Sequence, residues 1–522
     1  MTFNEPKDNL TGKSPIHQKN ALKSNPGLSG SQIIVNTESQ DLLQVGLDFL
    51  RLLATTVKAE YGIIAPYKVR MVGGKKGYIV GGAVRDYVMN KPIHDIDITT
   101  EATPAEIEEL TRVLNLVYVP TGLQHGTVTV VYKSHQIQIT TYRIDKVCDG
   151  RHAVVEFCSN LSFDLERRDI TANAMAMDSD MNIIDLFGGQ EDIKNKIIRA
   201  VGLPLKRFVE DKLRLLRAIR FATVLGFTIE PKTWEAMKEF RGKLKVHSKH
   251  TIYGDGEPYE VDARPISDER IRDELVKILE SPNRSRGLEL MDELGMLDEI
   301  LPEVVALKGL MADPKHHPER DTFLHTMLSV KSLPPDTPVD VAITMVLHDI
   351  GKAIIDRTDN IHFLEHETKG AEMTDAVLRR FKFPGDFIDK VKWLVANHMK
   401  LYSFGEMRKA KKIRLIEHQY FSQLYQTYKA DRSGRLKSEE AVKEEMRDVD
   451  EFLKEYETMQ KVKPRPKVRL VTGFDVMQLG VKEGIQVGKL LTAVEDEIIE
   501  GKITTRDEAI NWLKKAIDEL NK

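Results

Sequence analysis

Hydrophobic and polar residues alternate in two different ways along this chain. Before about Pro204, short runs rich in β-branched residues are separated by glycine and polar turns, which predicts the strands of a sheet. From about Pro204 onward, apolar residues recur at helical spacing, which predicts a long helical body. The predicted strands are Gly77–Val80, Ile96–Ile98, Gly126–Val131 and Ile137–Thr140.

Capping residues locate the ends of two predicted helices. Thr103 precedes Pro104 and can accept a hydrogen bond from the first turn of a helix that starts there. Gly226 follows the amphipathic run Asp211–Leu225 and suits the left-handed conformation at a helix C-terminus. Other helices are predicted over Leu42–Val57, from Ser267 with breaks to about Gln460, and twice between Gly473 and the C-terminus.

Three polar stretches interrupt this pattern. Residues 1–40 contain few apolar side chains and are predicted to form a disordered tail. The segment Lys243–Pro265 is polar and glycine-containing, which predicts a loop or hairpin inserted between helices. Lys463–Pro466 alternates basic residues with proline and predicts a stiff linker.

Composition indicates a globular protein of several domains. A chain of 522 residues is too long for one ordinary hydrophobic core. The hydrophobic (41%) and charged (30%) fractions are typical of globular chains. Lys+Arg is 77 and Asp+Glu is 80, which gives a formal net charge of −3. Any surface for nucleic acid must therefore be a local basic patch. Cys148 and Cys158 are too few for a zinc knuckle or a disulfide framework. Because no apolar run has membrane-spanning length or signal-peptide character, we expect a cytoplasmic protein without membrane contact.

The first candidate for chemistry is a glycine turn followed by two carboxylates. Gly81-Gly82 follows the predicted strand Gly77–Val80, so backbone N–H groups at the start of a helix could approach a phosphate. Strand alternation places Asp95 and Asp97 on one face, where a divalent cation between them would offset their repulsion. Taken alone, the glycine pair is better explained as an ordinary turn, and the two aspartates as solvent-facing residues of an edge strand; their order and spacing together favour the metal site.

Together with the residues that follow, these motifs resemble the class II tRNA nucleotidyltransferase and bacterial poly(A) polymerase family. That family carries Gly-Gly-x-Val-Arg-Asp followed by Asp-x-Asp, and its later motifs are matched here in order. The later matching segments are His125–Val130, Asp149–His152, Glu166–Met175, Asp185–Gly189, Ile193–Val201, Glu210–Arg214 and Arg217–Ala222. The resemblance covers Gly77 to about Phe227.

The resemblance implies a nucleotidyl-transfer centre. Asp95 and Asp97 are implied to be catalytic and to bind Mg²⁺, which can activate a 3′-hydroxyl and stabilise pyrophosphate. Arg168 is suited to hold triphosphate oxygens and Asp169 to accept from a ribose hydroxyl, although a charged helix cap is the alternative. The implied nucleotide-binding residues are Gly82, Arg85, Arg151 (in a flexible loop), Arg168, Asp169, Asp211, Arg214, Arg217 and Arg220.

Asp211 and Arg214 are implied to select the incoming base. A carboxylate accepts from the exocyclic amine that cytosine and adenine share, and a guanidinium donates to ring acceptors. Residues three apart on a helix share a face, so we expect the two side chains to act as a pair. A surface salt bridge between them is the alternative.

One residue departs from the family pattern. The strand beside the two aspartates usually carries a third carboxylate in a Glu-x-Thr-Thr-x-Arg setting, and here that position is Gln138. A glutamine carbonyl can ligate a hard cation but adds no negative charge. We therefore predict weaker metal binding than a Gln138→Glu variant would show.

A second motif is His348-Asp349, at the end of an apolar helix that starts near Val339. Neighbouring His and Asp can bind one metal with partners from other helices. Candidate partners are His325, His366, His398 and Asp431. The order His, His-Asp, Asp resembles the all-helical HD phosphohydrolase superfamily, which hydrolyses phosphoesters with a divalent metal. The resemblance implies the metal ligands His325, His348, Asp349 and Asp431; a helical scaffold that only supports RNA is the alternative.

Several segments are candidate RNA contacts. Basic clusters lie at Arg241–Lys249, Arg408–Arg414 and Lys461–Arg469, although a solvated surface explains each equally well. The segment from Gly473 through Gly488 resembles the C-terminal region of HD-bearing family members, which lies near the tRNA elbow. Glycines at helix starts allow backbone contacts to phosphates, which set position and not sequence.

These resemblances imply an α+β protein with a nucleotidyltransferase head of mixed β-sheet and helices, followed by a long helical neck, an HD-domain body and a helical tail. The predicted boundaries are 41–202 for the head, 203–300 for the neck with its nucleotide-selecting helix, 301–460 for the HD-type domain and 461–522 for the RNA-contacting tail.

The expected function is addition or repair of CCA at the tRNA 3′ end from CTP and ATP. Mg²⁺ is expected at the transferase site, and a second divalent metal at an HD site that hydrolyses phosphates on RNA ends. tRNA and nucleoside triphosphates are the expected partners, and no obligatory protein partner is evident. Two alternatives stay open: an A-adding enzyme or poly(A) polymerase, and an HD phosphohydrolase whose head only binds RNA. A non-enzymatic RNA-binding protein is the least favoured interpretation, because such a protein needs neither metal site.

Overall fold

The computed structural model describes residues 37–61, 68–148, 153–253, 258–315, 317–355, 363–462 and 469–520. Most of the predicted tail, the loop 149–152 that contains Arg151, and the predicted linker 463–466 lie outside these residues. Among the described helices, none combines the length and apolar character needed to cross a membrane.

Short strands occupy the first half of the chain. They are β1 (Thr56–Tyr61), β2 (Lys68–Gly73), β3 (Gly77–Val80), β4 (Ile96–Thr100), β5 (Val117–Gly122), β6 (Thr127–Tyr132), β7 (His135–Thr141), β8 (Arg143–Cys148), β9 (Ala153–Phe157), β10 (Met175–Met177), β11 (Ile183–Asp185), β12 (Ile197–Ile198), β13 (Thr228–Ile229), β14 (Ser248–Ile252) and β15 (Tyr259–Ala263). Seven of them form one mixed sheet in the order β11-β10-β3-β4-β7-β6-β5. Only the β4–β7 pair of this sheet is parallel among the described strands. The predicted mixed-sheet head is therefore confirmed.

Smaller strand pairs surround this sheet. β1–β2, β8–β9 and β14–β15 are antiparallel hairpins, and β12 pairs with β13 in parallel. The β14–β15 hairpin lies in the predicted polar insertion, so the hairpin alternative is the correct one there.

Helices form the rest of the molecule. They are α1 (Thr37–Ala54), α2 (Gly82–Val88), α3 (Pro104–Val113), α4 (Leu161–Glu166), α5 (Gly189–Lys194), α6 (Pro204–Glu210), α7 (Leu213–Leu225), α8 (Pro231–Lys238), α9 (Asp268–Glu280), α10 (Arg284–Glu293), α11 (Leu297–Ile300), α12 (Pro302–Val305), α13 (Thr322–Lys331), α14 (Val339–Leu347), α15 (His366–Arg380), α16 (Gly385–Asn397), α17 (Lys409–Ile416), α18 (Phe421–Ser433), α19 (Glu439–Val462), α20 (Gly473–Gln478), α21 (Ile485–Ile499) and α22 (Arg506–Leu520). Short 3₁₀ turns lie at Leu123–His125, Thr171–Asn173, Ile350–Ile354 and His398–Ser403.

Both predicted helix caps are confirmed. Thr103 accepts from the backbone of Glu106, whose side chain in turn accepts from the backbone of Thr103, so the two form a capping box at the start of α3. Gly226 ends α7 with φ 69° and ψ 33°, the left-handed conformation expected of a C-terminal glycine.

Two predicted boundaries and the predicted number of C-terminal helices are wrong. α1 begins at Thr37, so residues 37–40 are helical and not tail, and Ser39 is 3% exposed and hydrogen-bonds the backbone of Ile93. The predicted helix Asp211–Leu225 starts only at Leu213, because Asp211 has the extended backbone (φ −154°, ψ 107°) that ends α6. The C-terminal region contains three described helices and not two, because the turn Gly480–Gly484 separates α20 from α21.

One hydrophobic core connects the sheet to the helical body. It includes Leu42 of α1, Ile96 of β4, Leu216 of α7 and Val346 of α14. Helices α20 to α22 instead pack around a separate core that includes Val476, Val494 and Leu513.

Candidate functional site

The turn after β3 brings two glycines against two carboxylates. Gly81 has φ 75°, and a Cβ on it would lie 3.1 Å from Nη1 of Arg168 and 4.0 Å from Oδ2 of Asp97. A Cβ on Gly82 would lie 4.0 Å from Oδ1 of Asp95. The positive φ and the nearby guanidinium explain why glycine is needed at position 81. The turn therefore passes beside both predicted catalytic aspartates.

Asp97 lies on β4, with the buried Ile96 and Ile98 on the opposite face of the strand. Burial, together with the charge of Asp95, raises the pKa of Asp97 to about 6, and Arg168 works against this shift. The parallel pairing with β7 puts Gln138 in register with Asp97, and the side chain of Gln138 is exposed. The position of the family's third carboxylate is therefore beside the two aspartates.

Two arginines connect this turn to the segment after α4. Arg85 donates from Nη1 to Oδ1 of Asn173 (2.8 Å) and from Nε and Nη2 to Asp86. Arg168 donates weakly to the Asn173 carbonyl and to the buried Asp164, both at 3.4 Å. Because Asp164 also accepts from Arg167 at 2.7 Å, its charge is balanced mainly by that neighbour. The Arg168 guanidinium is thus held loosely beside Gly81 and Asp97.

Asp169 is bound to the helical neck. Its Oδ2 accepts from Nε of Arg217 at 2.7 Å, and its Oδ1 accepts from the backbone of Ile170 at 2.9 Å. Burial alone would raise the pKa of Asp169, but Arg217 holds that pKa well below its usual range. Arg217 and Arg220 both lie over the ring of Phe221, at 5.6 and 4.2 Å from its centroid. These contacts join the sheet domain to α7.

The alternative of a surface salt bridge between Asp211 and Arg214 is wrong, because the two side chains have different partners. Asp211 lies before α7 and accepts from Arg270 of α9, with Nη1–Oδ1 and Nη2–Oδ2 distances of 3.1 and 2.6 Å. Arg214 donates to Oε2 of Glu210 (2.6 Å) and to the carbonyl of Arg167 (2.8 Å). Each side chain is therefore oriented by a different partner, and Asp211 lies in the break between α6 and α7.

A second cluster contains histidines whose neutral rings are held in the same tautomer. His348, His366 and His398 each place Nδ1 at 2.7–2.8 Å from a backbone carbonyl three residues earlier. A carbonyl only accepts, so each Nδ1 carries the proton and each Nε2 of a neutral ring presents a lone pair. The Nε2 atoms of His366 and His398 are 3.2 Å apart, and Nε2 of His348 is buried without a hydrogen-bond partner among the described residues. The cluster thus directs nitrogen lone pairs into one buried space.

His325 completes this cluster between two carboxylates. Its Nδ1 lies 2.8 Å from Oε1 of Glu319, and its Nε2 lies 3.0 Å from Oδ1 of Asp431. Burial alone would lower the pKa of His325, but the hydrogen bonds with Asp431 and Glu319 raise it to about 9. Tyr402 donates to the other oxygen of Asp431 at 2.6 Å. A carboxylate, a histidine and a second carboxylate are thus fixed in line.

Asp349 lies at the centre of the cluster. Its Oδ2 is 3.4 Å from Nε2 of His348, and its Oδ1 is 3.4 and 3.9 Å from Nε2 of His366 and His398. Lys352 donates to Oδ2 at 2.7 Å. The Nε2 atoms of His348, His366 and His398 and the carboxylate of Asp349 fit a divalent transition metal, because backbone carbonyls hold the Nδ1 proton of each of these rings and leave Nε2 unprotonated. The atoms of His325, His348 and Asp349 lie within 4.8 Å of one another, as do those of Asp349, His366 and His398.

Comparisons with known proteins identify the sheet and its helices. Residues 77–199 match the family described as the poly A polymerase head domain. Residues 264–307 match the RNA and SrmB binding site of polymerase A, and residues 356–513 match domain 2 of tRNA nucleotidyltransferases. Over these three segments the chain is similar to poly(A) polymerases and tRNA nucleotidyltransferases. The match over 356–513 crosses the predicted boundary between the HD-type body and the tail.

Two curated relatives and one solved structure carry the same name. The CCA-adding enzyme of Lactobacillus helveticus (strain DPC 4571) is 38% identical over 271 residues, which cover 51% of this chain and 62% of that enzyme. The CCA-adding enzyme of Enterococcus faecalis (strain ATCC 700802 / V583) is 42% identical over 238 residues, 45% of this chain and 53% of that enzyme. The chain thus spans between about half and six tenths of the length of these curated relatives. The Bacillus stearothermophilus CCA-adding enzyme solved with CTP matches with a TM-score of 0.59 at 24% identity, covering 92% of this chain and 98% of that one, which establishes the fold.

Most of the predicted nucleotide-site residues lie on two surfaces. Gly82, Arg85, Asp95, Asp97 and Arg168 surround the turn after β3. Asp169, Arg214, Arg217 and Arg220 line the junction with α7, and Asp211 lies just before that helix. Arg151 lies outside the described residues. His325, His348, Asp349 and Asp431 converge in the second cluster, as their predicted order implies.

Sequence reasoning missed the residues that hold these side chains. Arg270 and Glu274 lie one turn apart on α9 and reach Asp211 and Arg220, the second through an ion pair of 3.0 Å. Their spacing of four residues on a helix was the available signal. Glu319 was also missed, because it lies in a loop outside any helical pattern. His366 and His398 were considered as candidates, but the family pattern with four ligands does not include them.

Proposed function

We propose that this chain is a template-independent nucleotidyltransferase that builds or repairs CCA at the 3′ end of tRNA from CTP and ATP. The observation that carries the proposal is the position of Asp95 and Asp97 beside the Gly81–Gly82 turn, with Arg168 beside Gly81 and Asp97. The names of the matched relatives support the choice of CCA as the product. A cytoplasmic location and the division 41–202, 203–300, 301–460 and 461–522 are part of this proposal.

The reaction joins the RNA 3′-oxygen to the α-phosphorus of the nucleotide. The bond from that phosphorus to pyrophosphate breaks, and the hydroxyl proton passes to solvent. Asp95 and Asp97, with the amide oxygen of Gln138, are the residues that would hold Mg²⁺. Mg²⁺, when bound, supplies positive charge to the triphosphate and lowers the pKa of the attacking hydroxyl. Arg168 adds a guanidinium suited to phosphate oxygens.

Asp211 and Arg214 are proposed to select the base. Arg270 and Glu210 orient the two side chains before a nucleotide arrives. Cytosine and adenine each offer an exocyclic amine to a carboxylate, whereas uracil offers a carbonyl oxygen in its place. The Arg217–Asp169 contact connects these base-selecting residues to the catalytic sheet. CTP and ATP would therefore both be placed against Asp95 and Asp97.

One experiment tests this proposal directly. tRNA transcripts that end before CCA, after C and after CC are incubated with Mg²⁺ and each nucleotide separately. We expect CTP to be added to the first two transcripts, ATP to the third, and synthesis to stop at A. Addition of ATP alone to the transcript that ends in CC indicates an A-adding enzyme, and an unlimited run of A indicates a poly(A) polymerase. No incorporation contradicts the proposal.

We propose a second activity, hydrolysis of phosphoesters on RNA ends, for the histidine cluster. The observation that carries it is the convergence of unprotonated Nε2 atoms on Asp349. His325, His348, Asp349 and Asp431 would hold a divalent metal, and His366 and His398 add two ligands on the other oxygen of Asp349. The metal, when bound, supplies a water molecule of lowered pKa. The pKa of Asp349 lies well below its usual range despite burial, because His348 and the buried ammonium of Lys352 favour its ionised form.

Metal content separates this activity from the first. The double variant His348→Ala, Asp349→Ala should lose bound metal, measured by elemental analysis, and lose hydrolysis of a 2′,3′-cyclic phosphate RNA end. Nucleotide addition should remain within about twofold of the parent, because the transferase aspartates are on a separate sheet. Metal content equal to the parent's contradicts the metal site, and loss of both activities contradicts two separate centres.

A further inference from the structure

A pocket of about 520 Å³ opens between α16, α17 and the 3₁₀ turn His398–Ser403. Its volume is that of ordinary small-molecule sites. It is lined by aromatic, basic and uncharged polar side chains, and none of the lining residues is acidic. The pocket is separate from both the transferase turn and the histidine cluster, because its lining contains no proposed metal ligand or base-selecting residue.

Two aromatic rings form one wall. Trp393 and His418 stack with their centroids 3.8 Å apart and their planes within 2° of parallel. Nδ1 of His418 accepts from the backbone N–H of Tyr420 at 3.2 Å, so the proton of a neutral imidazole lies on Nε2 and that atom is a donor. Both rings are only partly buried. Stacking covers one face of each ring, so a planar ligand can lie against an outer face of the stack, and Nε2 of His418 is a hydrogen-bond donor at its edge.

Two lysines from different elements also line the pocket. Lys400 comes from the 3₁₀ turn and Lys411 from α17, and both are exposed. Neither ammonium group forms an ion pair with a carboxylate in the part of the chain that the structure describes. Arg414 also lines the pocket but is committed to α21 through Asp496 (2.8 Å) and the carbonyl of Thr492 (3.0 Å). The two lysines are thus the charges available to a ligand.

We propose that this pocket binds one unpaired nucleotide of the RNA substrate. Its base lies against Trp393 and His418, and the phosphates before and after it contact Lys400 and Lys411. A free nucleotide carries its phosphates at one end only, whereas a nucleotide within a strand carries one on each side, which matches lysines from two separate elements. The proposal rests on the proposed function, in that the bound polymer is an RNA. It assigns a role to part of the basic cluster Arg408–Arg414.

Tryptophan fluorescence tests contact with a base. Titration of the full chain with the oligonucleotide rA12 should quench tryptophan emission, because a stacked base lies against Trp393. The variant Trp393→Phe keeps an aromatic ring, so it should retain affinity for fluorescein-labelled rA12 within about threefold and lose most of the quench. Quenching unchanged in Trp393→Phe overturns the proposal, since Trp234 or Trp512 would then be the reporter.

Lysine substitution tests contact with phosphates. Lys400→Ala combined with Lys411→Ala should weaken binding of a tRNA transcript lacking CCA about tenfold. The slope of log affinity against log salt should also become shallower by about 1.4, or 0.7 for each phosphate contact of a single strand. The matched control is Lys443→Ala with Lys454→Ala, two exposed lysines of α19 outside the pocket. Equal affinities of the two double variants overturn the proposal.

Two further measurements distinguish RNA binding in this pocket from a defect in catalysis and from general attraction of anions. At saturating tRNA, nucleotide addition by the Lys400/Lys411 double variant should keep the parent kcat while its KM for tRNA rises about tenfold. If the parent protein adds no nucleotide, the proposed function is contradicted. If the Lys400/Lys411 variant has the same KM for tRNA as the control variant, only the assignment of the pocket is contradicted. Quenching by free AMP at the concentration of rA12 nucleotides, or competition by polyglutamate as strong as by rA12, overturns the assignment to RNA.

Discussion

Arg270 of α9 donates to both carboxylate oxygens of Asp211, from Nη1 at 3.1 Å and from Nη2 at 2.6 Å. The two residues are 59 positions apart, so the side chain proposed to read the base is oriented by a different helix of the neck. Arg270 lies within the segment 264–307 that matches the polymerase A binding-site family. The base-selecting surface thus depends on how α9 packs against α7.

Arg270→Met should impair base selection more than chemistry. Without the guanidinium, Asp211 keeps its charge but loses its fixed orientation, so KM for CTP and ATP should rise roughly fivefold or more with a smaller change in kcat. Misincorporation of UTP should increase. Single-nucleotide kinetics on a transcript lacking CCA measure both effects. Arg272→Met, which removes a neighbouring arginine paired with Asp273, is the control, and equal kinetics for the two variants contradict the prediction.

Gln138→Glu should strengthen Mg²⁺ binding at the transferase centre. The substitution adds a carboxylate in register with Asp97, so the Mg²⁺ concentration at half-maximal turnover should fall by about threefold or more. Gln190→Glu adds the same charge on α5 and should leave the Mg²⁺ dependence unchanged. An unchanged Mg²⁺ titration for Gln138→Glu would show that position 138 does not contact the metal.

Asp95→Asn and Asp97→Asn should each reduce nucleotide addition by about a hundredfold or more, because each removes a charged metal ligand while preserving side-chain shape. The measurement is kcat at saturating Mg²⁺ and tRNA. Asp180→Asn, an exposed residue of the same domain, should be neutral. Phosphoester hydrolysis at the histidine cluster should persist in all three variants.

Arg217→Met should lower stability in a pH-dependent way. The substitution leaves the buried Asp169 without its main partner and should lower the free energy of unfolding by about 2 kcal/mol. This cost is below the range for fully buried ion pairs, because the Arg217 side chain is 35% exposed and screened by water. The folded pKa of Asp169 is depressed, so the pair stabilises above the unfolded pKa of about 4 and this contribution is lost as pH falls. Calorimetric melting temperatures should differ most at pH 7, and the difference should shrink as the pH falls below about 4 toward the depressed folded pKa of Asp169. A difference that is the same at pH 3 as at pH 7 would contradict the charge pairing.

Arg284→Met should destabilise the junction between the neck and the helical body. Arg284 is 1% exposed and donates to the carbonyls of Leu279, Leu333, Pro334 and Pro335. Leaving these carbonyls unpaired should cost about 3–5 kcal/mol. Arg286→Met, which removes exposed ion pairs only, should cost less than about 1 kcal/mol. Chemical denaturation compares the two variants, and similar midpoints would show that the buried contacts contribute little.

Local features were predictable from the sequence because they depend on neighbouring residues. The bounds of β3, the cap at Thr103 and the stop at Gly226 follow from β-branched content, a hydroxyl before proline, and a glycine after an apolar run. The grouping of His325, His348, Asp349 and Asp431 followed from a resemblance whose spacing is specific.

Other features depend on contacts distant in sequence. The apolar spacing of Val209, Leu213 and Leu216 continues across the break at Asp211, so periodicity alone gives one helix where the structure has two. The partners of Asp211 and Arg214 follow from that break and from α9, and neither is encoded nearby. The parallel pairing of β4 with β7, which puts Gln138 beside Asp97, likewise joins segments 41 positions apart.

The shared core from α1 to α18 has a consequence for the order of events on an RNA. The transferase sheet and the histidine cluster are built on this one continuous core, whereas α20 to α22 have a core of their own. If both proposed activities hold, rotating one centre toward the other would break that core, so an RNA end is not handed across by a domain movement. The end must dissociate and return, so the sequence of trimming and extension is set by the lifetime of the complex.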